Sequence, residues 1–230
     1  MRRFLIVFAK EPNKGTVKTR LKDCLSGSQR MNLYKAFLRD SIDIANRVEC
    51  EKRIIAYESK IRPPRYLMRI APSFVFYEQT GKNLGLKMYN AFEFALQKGA
   101  SQAVIIGSDS PTLPASSIKK AFSLSGRADI VLGPSLDGGY YLIGLKSPCA
   151  GLFEGIAWSS STVLKDTIKN AQRLKKKVAL LDKRYDIDDA NALSRLKNDL
   201  SKLKDRTIAR WTRKFISSVS WITDKNNKMV

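Results

Sequence analysis

Residues 4–21 read FLIVFAKEPNKGTVKTRL: a short apolar run, a polar loop bent by Pro12 and Gly15, and then the start of a long helical pattern. That order predicts strand, loop and helix. The loop sets Lys10, Lys14, Lys18 and Arg20 against Glu11 alone, which suits it to hold a polyphosphate beside flexible backbone and a helix start. It is not a Walker loop, which needs GxxxxGK followed by Ser or Thr.

The same alternation runs on through the chain. Leu33, Phe37, Ile44 and Val48 recur at near-helical spacing over 27–48, and RIIAYE (53–58) reads as a strand. Pro63, Pro64 and Pro72 predict an irregular connection before the strand FVFYEQ (74–79), and Met88, Phe92 and Leu96 share one side of a helix from Leu84 to Lys98. Ala103 to Ile106 is a continuous apolar strand entering Gly107, as a buried central strand would be. A helix near 115–124, the strands DIVLGP and YYLIGL, and a helix at 161–173 follow. Alternating strands and helices imply a mixed, mostly parallel sheet in a three-layer α/β/α sandwich. Such sheets bind ligands beyond the carboxyl ends of their strands, where AKEPNKGTVKTR, GSDSP and GPSLDGGY stand.

The chain has no histidine, which removes Ser-His-Asp and Cys-His nucleophilic schemes and most zinc chemistry, so acids, bases and metal ligands are sought among carboxylates. Cys24, Cys50 and Cys149 lack metal-ligand spacing and are expected as reduced thiols of a cytoplasmic protein. MRRFLIVFA imitates a signal peptide, but the apolar stretch ends at Lys10 with no small-residue cleavage site. The formal net charge of +21, from 42 Lys+Arg against 21 Asp+Glu, attracts anions: nucleic acid, acidic lipid or phosphorylated substrate.

Three acidic sites carry candidate chemistry. Asp109, held between Gly107 and Pro111 after a buried strand, suits a hard divalent cation, or else caps a helix or closes a turn. Asp137 is either a base or the acid of an Asp-Gly hairpin turn, with Gly138 and Gly139 allowing close ligand approach beside Tyr140. Asp186 and Asp188 alternate on an extended segment and would complete a cation site with Asp109, while Asp188 or Asp189 also fits a helix N-cap. The loop TGKNLGLKM offers contacts to base, ribose or phosphate, and Trp158 with Ser159 precedes a helix, the tryptophan as stacking surface or core.

With FAKEPNKGTVKTRL, TGKNLGLKM, IIGSDSPTLP, LGPSLDGGYYLIGL, LFEGIAWSSSTVL and YDIDDANAL in this order, the chain resembles a family of bacterial and archaeal glycosyltransferase-A-like proteins, also named radical-SAM/selenodomain-associated transferases. The resemblance spans about residues 4–196. It implies the nucleotide-diphospho-sugar transferase fold, whose relatives include glycosyltransferases and nucleotidyltransferases such as 2-phospholactate guanylyltransferase. By that resemblance Lys18 and Arg20 look like triphosphate-binding residues with catalytic weight. Lys10, Gly15, Asn83, Gly85 and Lys87 would join them around the nucleotide, and Gly138, Gly139, Tyr140, Trp158 and Ser159 would lie on the acceptor side. Asp109 looks like the Mg²⁺- or Mn²⁺-binding acid, with a second from Asp186 to Asp188, and Asp137 is the candidate base. Asn83 and Lys87 depart from the family, which usually has Asp and Arg there.

The expected organisation is a transferase domain over 1–200 and a basic amphipathic tail over 201–230. On a helical projection Ile208, Trp211, Phe215, Val219 and Ile222 fall opposite Arg206, Arg210, Arg213 and Lys214. Packing against the domain, or against a second copy in a homodimer, is favoured over docking on anionic lipid. Two functions remain: a metal-dependent glycosyl- or nucleotidyltransferase taking a nucleotide or nucleotide-sugar and an acceptor, and a non-catalytic basic protein that binds nucleic acid or membrane. Placed acids in the loops favour the enzyme, for which nucleic acid is not required, since a phosphate-backbone binder has no use for Asp109 in its groove.

Overall fold

The computed structural model describes residues 1–13, 17–60 and 62–219. Its strands are β1 (Arg3–Lys10), β2 (Lys52–Glu58), β3 (Val75–Glu78), β4 (Gln102–Ile106), β5 (Ile130–Pro134), β6 (Tyr140–Leu145) and β7 (Val178–Leu180). They form one sheet in the order β3-β2-β1-β4-β6-β5-β7. β6 pairs antiparallel with β4 and β5, and the other pairings are parallel, so every strand but β6 ends at the same edge.

The helices are α1 (Gly27–Asn46), α2 (Arg65–Ile70), α3 (Leu84–Gln97), α4 (Ala115–Leu124), α5 (Val163–Arg173), α6 (Ala190–Lys202) and α7 (Arg210–Ser218). Because side chains alternate along a strand, neighbouring residues feed opposite cores. Leu5 and Val7 of β1 and Val104 and Ile106 of β4 pack with Leu38 and Ile42 of α1 and Ile118 and Phe122 of α4. Phe4, Ile6, Ala103 and Ile105 face the other way, onto Met88, Phe92 and Ala95 of α3 and Ala171 of α5. These are the three layers that the sequence predicts. β4, flanked by β1 and β6, is buried along its whole length.

The proline-rich connection departs from expectation, and the C-terminal helix carries a cap that the sequence does not show. The proline-rich connection is not wholly irregular, because residues 65–70 form α2. Its first-turn N–H groups are satisfied from a distance: the Glu11 carboxylate accepts from the amides of Tyr66 (2.7 Å) and Leu67 (3.1 Å). The C-terminal segment forms α7, which packs on α1 and α6, with Ala209 and Phe215 joining Phe37, Leu193 and Leu196 in a third apolar cluster. Its cap is also remote. Asp40 of α1 is 2% exposed. It accepts from the amides of Trp211 (3.0 Å) and Thr212 (2.9 Å) and from the Thr212 hydroxyl (2.6 Å). Arg213, projected onto the polar face, folds back onto the carbonyls of Leu200 (2.6 Å) and Ile208 (2.9 Å). Ile222 lies outside the described residues. Among those described, no helix is long and apolar enough to cross a membrane.

Candidate active site

A cleft of about 870 Å³ opens at the carboxyl edge of the sheet. That is the position expected of a ligand site in an open α/β sheet, and the volume is ample for a nucleotide-sized molecule. Most of the residues picked out from the sequence line it. Gly85 and Gly138 instead lie behind the wall, and Gly15, with Lys14, is outside the described residues.

Lys18 enters from the loop after β1. Its backbone is left-handed (φ 49°) at the start of a 3₁₀ turn, Thr19–Leu21. The side chain is 4% exposed, and its ammonium lies 2.6 Å from Asp109 Oδ1 and 3.0 Å from Asp188 Oδ1. It also donates to the carbonyl of Ile187 (2.6 Å) and lies 5.2 Å from the centre of the Phe37 ring. Burial works against the charged form, but the two carboxylates outweigh it and hold the lysine pKa above its ordinary value. The sequence places Lys18 on the phosphate side; the structure gives it to the acids.

Asp109 follows β4 after the exposed turn at Gly107. Its Oδ1 atom is buried and, beyond the ion pair with Lys18, takes no hydrogen bond. Asp186 accepts from the Ser110 hydroxyl. Burial raises its pKa to about 6; that hydrogen bond pulls it down, and the charges of Asp109, Asp137 and Asp188 push it further up. The alternation of Asp186 and Asp188 does bring both into the cleft, with Ile187 between them buried in the α1–α6–α7 cluster. Asp189 is the N-cap of α6, accepting from the amide of Ala192 (2.8 Å). Asp137 closes the β5–β6 hairpin: its Oδ1 accepts from the amide of Gly139 (3.0 Å) and from the Ser135 hydroxyl. Gly138 has φ 91°, and a Cβ there would lie 2.0 Å from the Ser161 carbonyl oxygen. Its glycine is required by the backbone, and any ligand it serves would be served through that turn.

Lys10, Arg20 and Lys87 also line the cleft, together with Glu58, the last residue of β2. Glu58 pairs with Lys87 at 3.0 Å and lies 3.9 Å from Lys10. Partial burial disfavours its charge, but the Lys87 hydrogen bond and the two lysine charges outweigh it and hold the carboxyl below its usual range. Asn83 caps α3 through the amide of Leu86 (2.9 Å). Trp158 lies on the cleft wall against Gly85, where a Cβ would stand 2.3 Å from Trp158 Cζ2. Ser159 and Tyr140 also line the cleft, but the Tyr140 hydroxyl is buried, and burial raises its pKa. Sequence reasoning missed Glu58, Gln79 and Tyr34. Glu58 was reachable from its place at a parallel strand's carboxyl end. Tyr34 was not: it sits mid-helix and accepts from the Lys10 amide (2.8 Å) across the layers.

A hard divalent cation fits this chemistry. Among the described residues no three acidic, cysteine or histidine side chains form a ready-made cage. Asp109 and Asp188 nevertheless turn carboxylate oxygens toward one point, and Mg²⁺ or Mn²⁺ needs only one or two such ligands when phosphate and water supply the rest.

The family described as "Uncharacterized protein conserved in bacteria (DUF2064)" matches residues 42–160. Among solved structures, a provisionally named nucleotide-diphospho-sugar transferase of Desulfovibrio desulfuricans G20 is 29% identical, with a TM-score of 0.84 over 94% of this chain and 99% of that one. The 4-diphosphocytidyl-2C-methyl-D-erythritol synthase of Anaerococcus prevotii DSM 20548 is 10% identical, with a TM-score of 0.59 over 87% and 97%. Rv0371c of Mycobacterium tuberculosis H37Rv, solved with manganese, is 15% identical, with a TM-score of 0.52 over 88% and 100%. These last two show likeness of fold. No curated protein matches the sequence.

Proposed function

The chain belongs to the DUF2064 family of uncharacterized bacterial proteins and has the nucleotide-diphospho-sugar transferase fold, and from that premise we propose that it is a transferase drawing its group from a nucleoside triphosphate or a nucleotide-diphospho-sugar with the help of Mg²⁺ or Mn²⁺. The observation that carries this is the polarity of the cleft. Within one cleft the acids Asp109 and Asp188 gather around Lys18, the cations Lys10 and Lys87 gather around Glu58, and Arg20 lines the same cleft.

Asp109 and Asp188 are the residues that would hold the cation, whose contribution is to neutralise charge on the phosphate being attacked or leaving. Arg20 and Lys10 bind and orient the phosphate chain, and Lys87, fixed by Glu58, sets its far end. Trp158, packed on Gly85, excludes water from the side of the cleft nearest α3. The Asp137 turn and Tyr140 border the space left for an acceptor. That Mn²⁺ accompanies one neighbour of this fold supports the choice of ion.

The test is a thermal-shift screen of nucleoside triphosphates and nucleotide-sugars with and without Mn²⁺. A bound ligand at one hundred times its dissociation constant stabilises by about 2.7 kcal/mol. At least one nucleotide is expected to raise the melting temperature in the presence of Mn²⁺, and to lose that effect in Asp109→Ala. A screen with no stabilising nucleotide overturns the proposal.

A further inference from the structure

The ammonium of Lys18 stands where the two acids converge. Three oxygens enclose it, two from Asp109 and Asp188 and one from the Ile187 carbonyl, and Phe37 lies on its flank. An ammonium enclosed in this way is not offered to phosphate. A second cation cannot take the same two oxygens while it stays; the carboxylates are 41% and 46% exposed, but the lysine is only 4% exposed, so taking its partners away leaves a buried charge uncompensated.

We infer that Lys18 is an exchangeable counter-ion, which neutralises Asp109 and Asp188 while the cleft is empty and passes to the polyphosphate of the nucleotide when a divalent cation takes those carboxylates. The inference rests on the function proposed above. Charge decides the order of events. An ion arriving alone would strand the lysine among its former partners, whereas an ion arriving with a polyphosphate supplies the displaced ammonium with a new anion in the same cleft. Metal and nucleotide are therefore coupled through one side chain, and by linkage each raises the affinity of the other by the same factor. Lys18 is the N-cap of the 3₁₀ turn Thr19–Leu21, outside its helical residues, so its side chain can reorient without unwinding that turn.

The experiment is a Mn²⁺ titration of the full chain, read by the electron paramagnetic resonance signal of free Mn²⁺ and by melting temperature. It compares the wild type with Lys18→Met and with Lys18→Gln, which keeps a donor for the Ile187 carbonyl. Without nucleotide, both variants are expected to bind Mn²⁺ on the order of tenfold more tightly than the wild type, within the span of ordinary coupling factors. Mn²⁺ alone should raise their melting temperatures and leave that of the wild type nearly unchanged. Adding the nucleotide that best stabilises the wild type should raise Mn²⁺ affinity more in the wild type than in either variant. A variant that folds only when Mn²⁺ is added supports the exchange; variants that stay unfolded with Mn²⁺ overturn it. Equal affinities for Mn²⁺ alone, while the wild type still binds nucleotide with Mn²⁺, overturn the exchange and leave the transferase proposal standing. Absence of Mn²⁺ and nucleotide binding in every protein overturns both.

Discussion

The backbone amide of Ile187 donates to the carbonyl oxygen of Asp109 at 3.1 Å, which ties together two acid-bearing loops that lie far apart in the chain. The next atoms along continue the tie, because the Ile187 carbonyl accepts from Lys18 and its side chain is wholly buried among Leu21, Phe37, Leu193 and Phe215. The C-terminal helices thus sit directly behind the acids of the cleft, and their packing reaches the candidate chemistry through a single residue.

Phe215→Ala should reveal that bracing. Phe215 is 8% exposed, and truncating a buried phenylalanine costs about 3–5 kcal/mol through lost transfer energy and the cavity left behind. Urea unfolding at neutral pH should show a loss near the lower end of that range. The melting-temperature shift given by nucleotide with Mn²⁺ should shrink as well, although Phe215 does not line the cleft. A variant that is destabilised yet gives the full ligand shift would separate α7 from the site.

Gly85→Ala tests the wall formed by Trp158. The new methyl would stand 2.3 Å from the indole and 3.0 Å from Phe153 Cβ, so the ring or the start of α3 has to move. Overpacking of this kind costs about 1–3 kcal/mol. Trp158→Ala in the same chain should recover part of that cost, since the two changes share one contact and are not additive. Strict additivity in urea unfolding of the single and double variants would rule the contact out as the cause.

The contrast between Gly85 and Glu11 shows which features the sequence could carry. Local periodicity is enough to place the three layers and the turn at Asp137, which depend on neighbours within a few residues, and the strand-end rule brings the distant Asp109, Asp186 and Asp188 to one edge of the sheet. The sequence places Lys18 on phosphate because its loop is mostly basic and because of the family resemblance; the acids that pair with it come from the loops after β4 and β7. α2 and the capping of α7 were illegible for the same reason. Their N–H groups are satisfied by Glu11 and Asp40, residues on other elements that no window around either helix contains.

Glu11→Gln should loosen α2 without disturbing the cleft acids. Losing a capping side chain costs about 1 kcal/mol, and a neutral amide can satisfy one N–H well but not both equally. Amide hydrogen exchange at Tyr66 and Leu67 should accelerate by roughly the fivefold that corresponds to about 1 kcal/mol. Unchanged protection at these two amides would show that α2 is held by Leu67 packing alone.

Asp40 gives the protein a dependence on pH. Burial lifts its pKa from 3.8 to about 6; the hydroxyl and amide of Thr212 and the amide of Trp211 pull it down, and Asp43 adds a smaller upward push. An acid raised in the folded state holds its proton where the unfolded chain has already released it. The folded form therefore binds more protons between about pH 4 and pH 6, and stability falls as pH rises through that window and levels off above it. The full penalty is on the order of 3 kcal/mol for a shift of this size. Asp186 slopes the same way, so the wild type should show the sum and Asp40→Asn only the remainder. Urea unfolding of both proteins at pH 4.5, 5.5 and 7 should give a shallower decline in the variant, by up to one proton. Parallel stability curves would mean that Asp40 remains charged throughout the window, with its three hydrogen bonds to the start of α7 compensating fully for its burial.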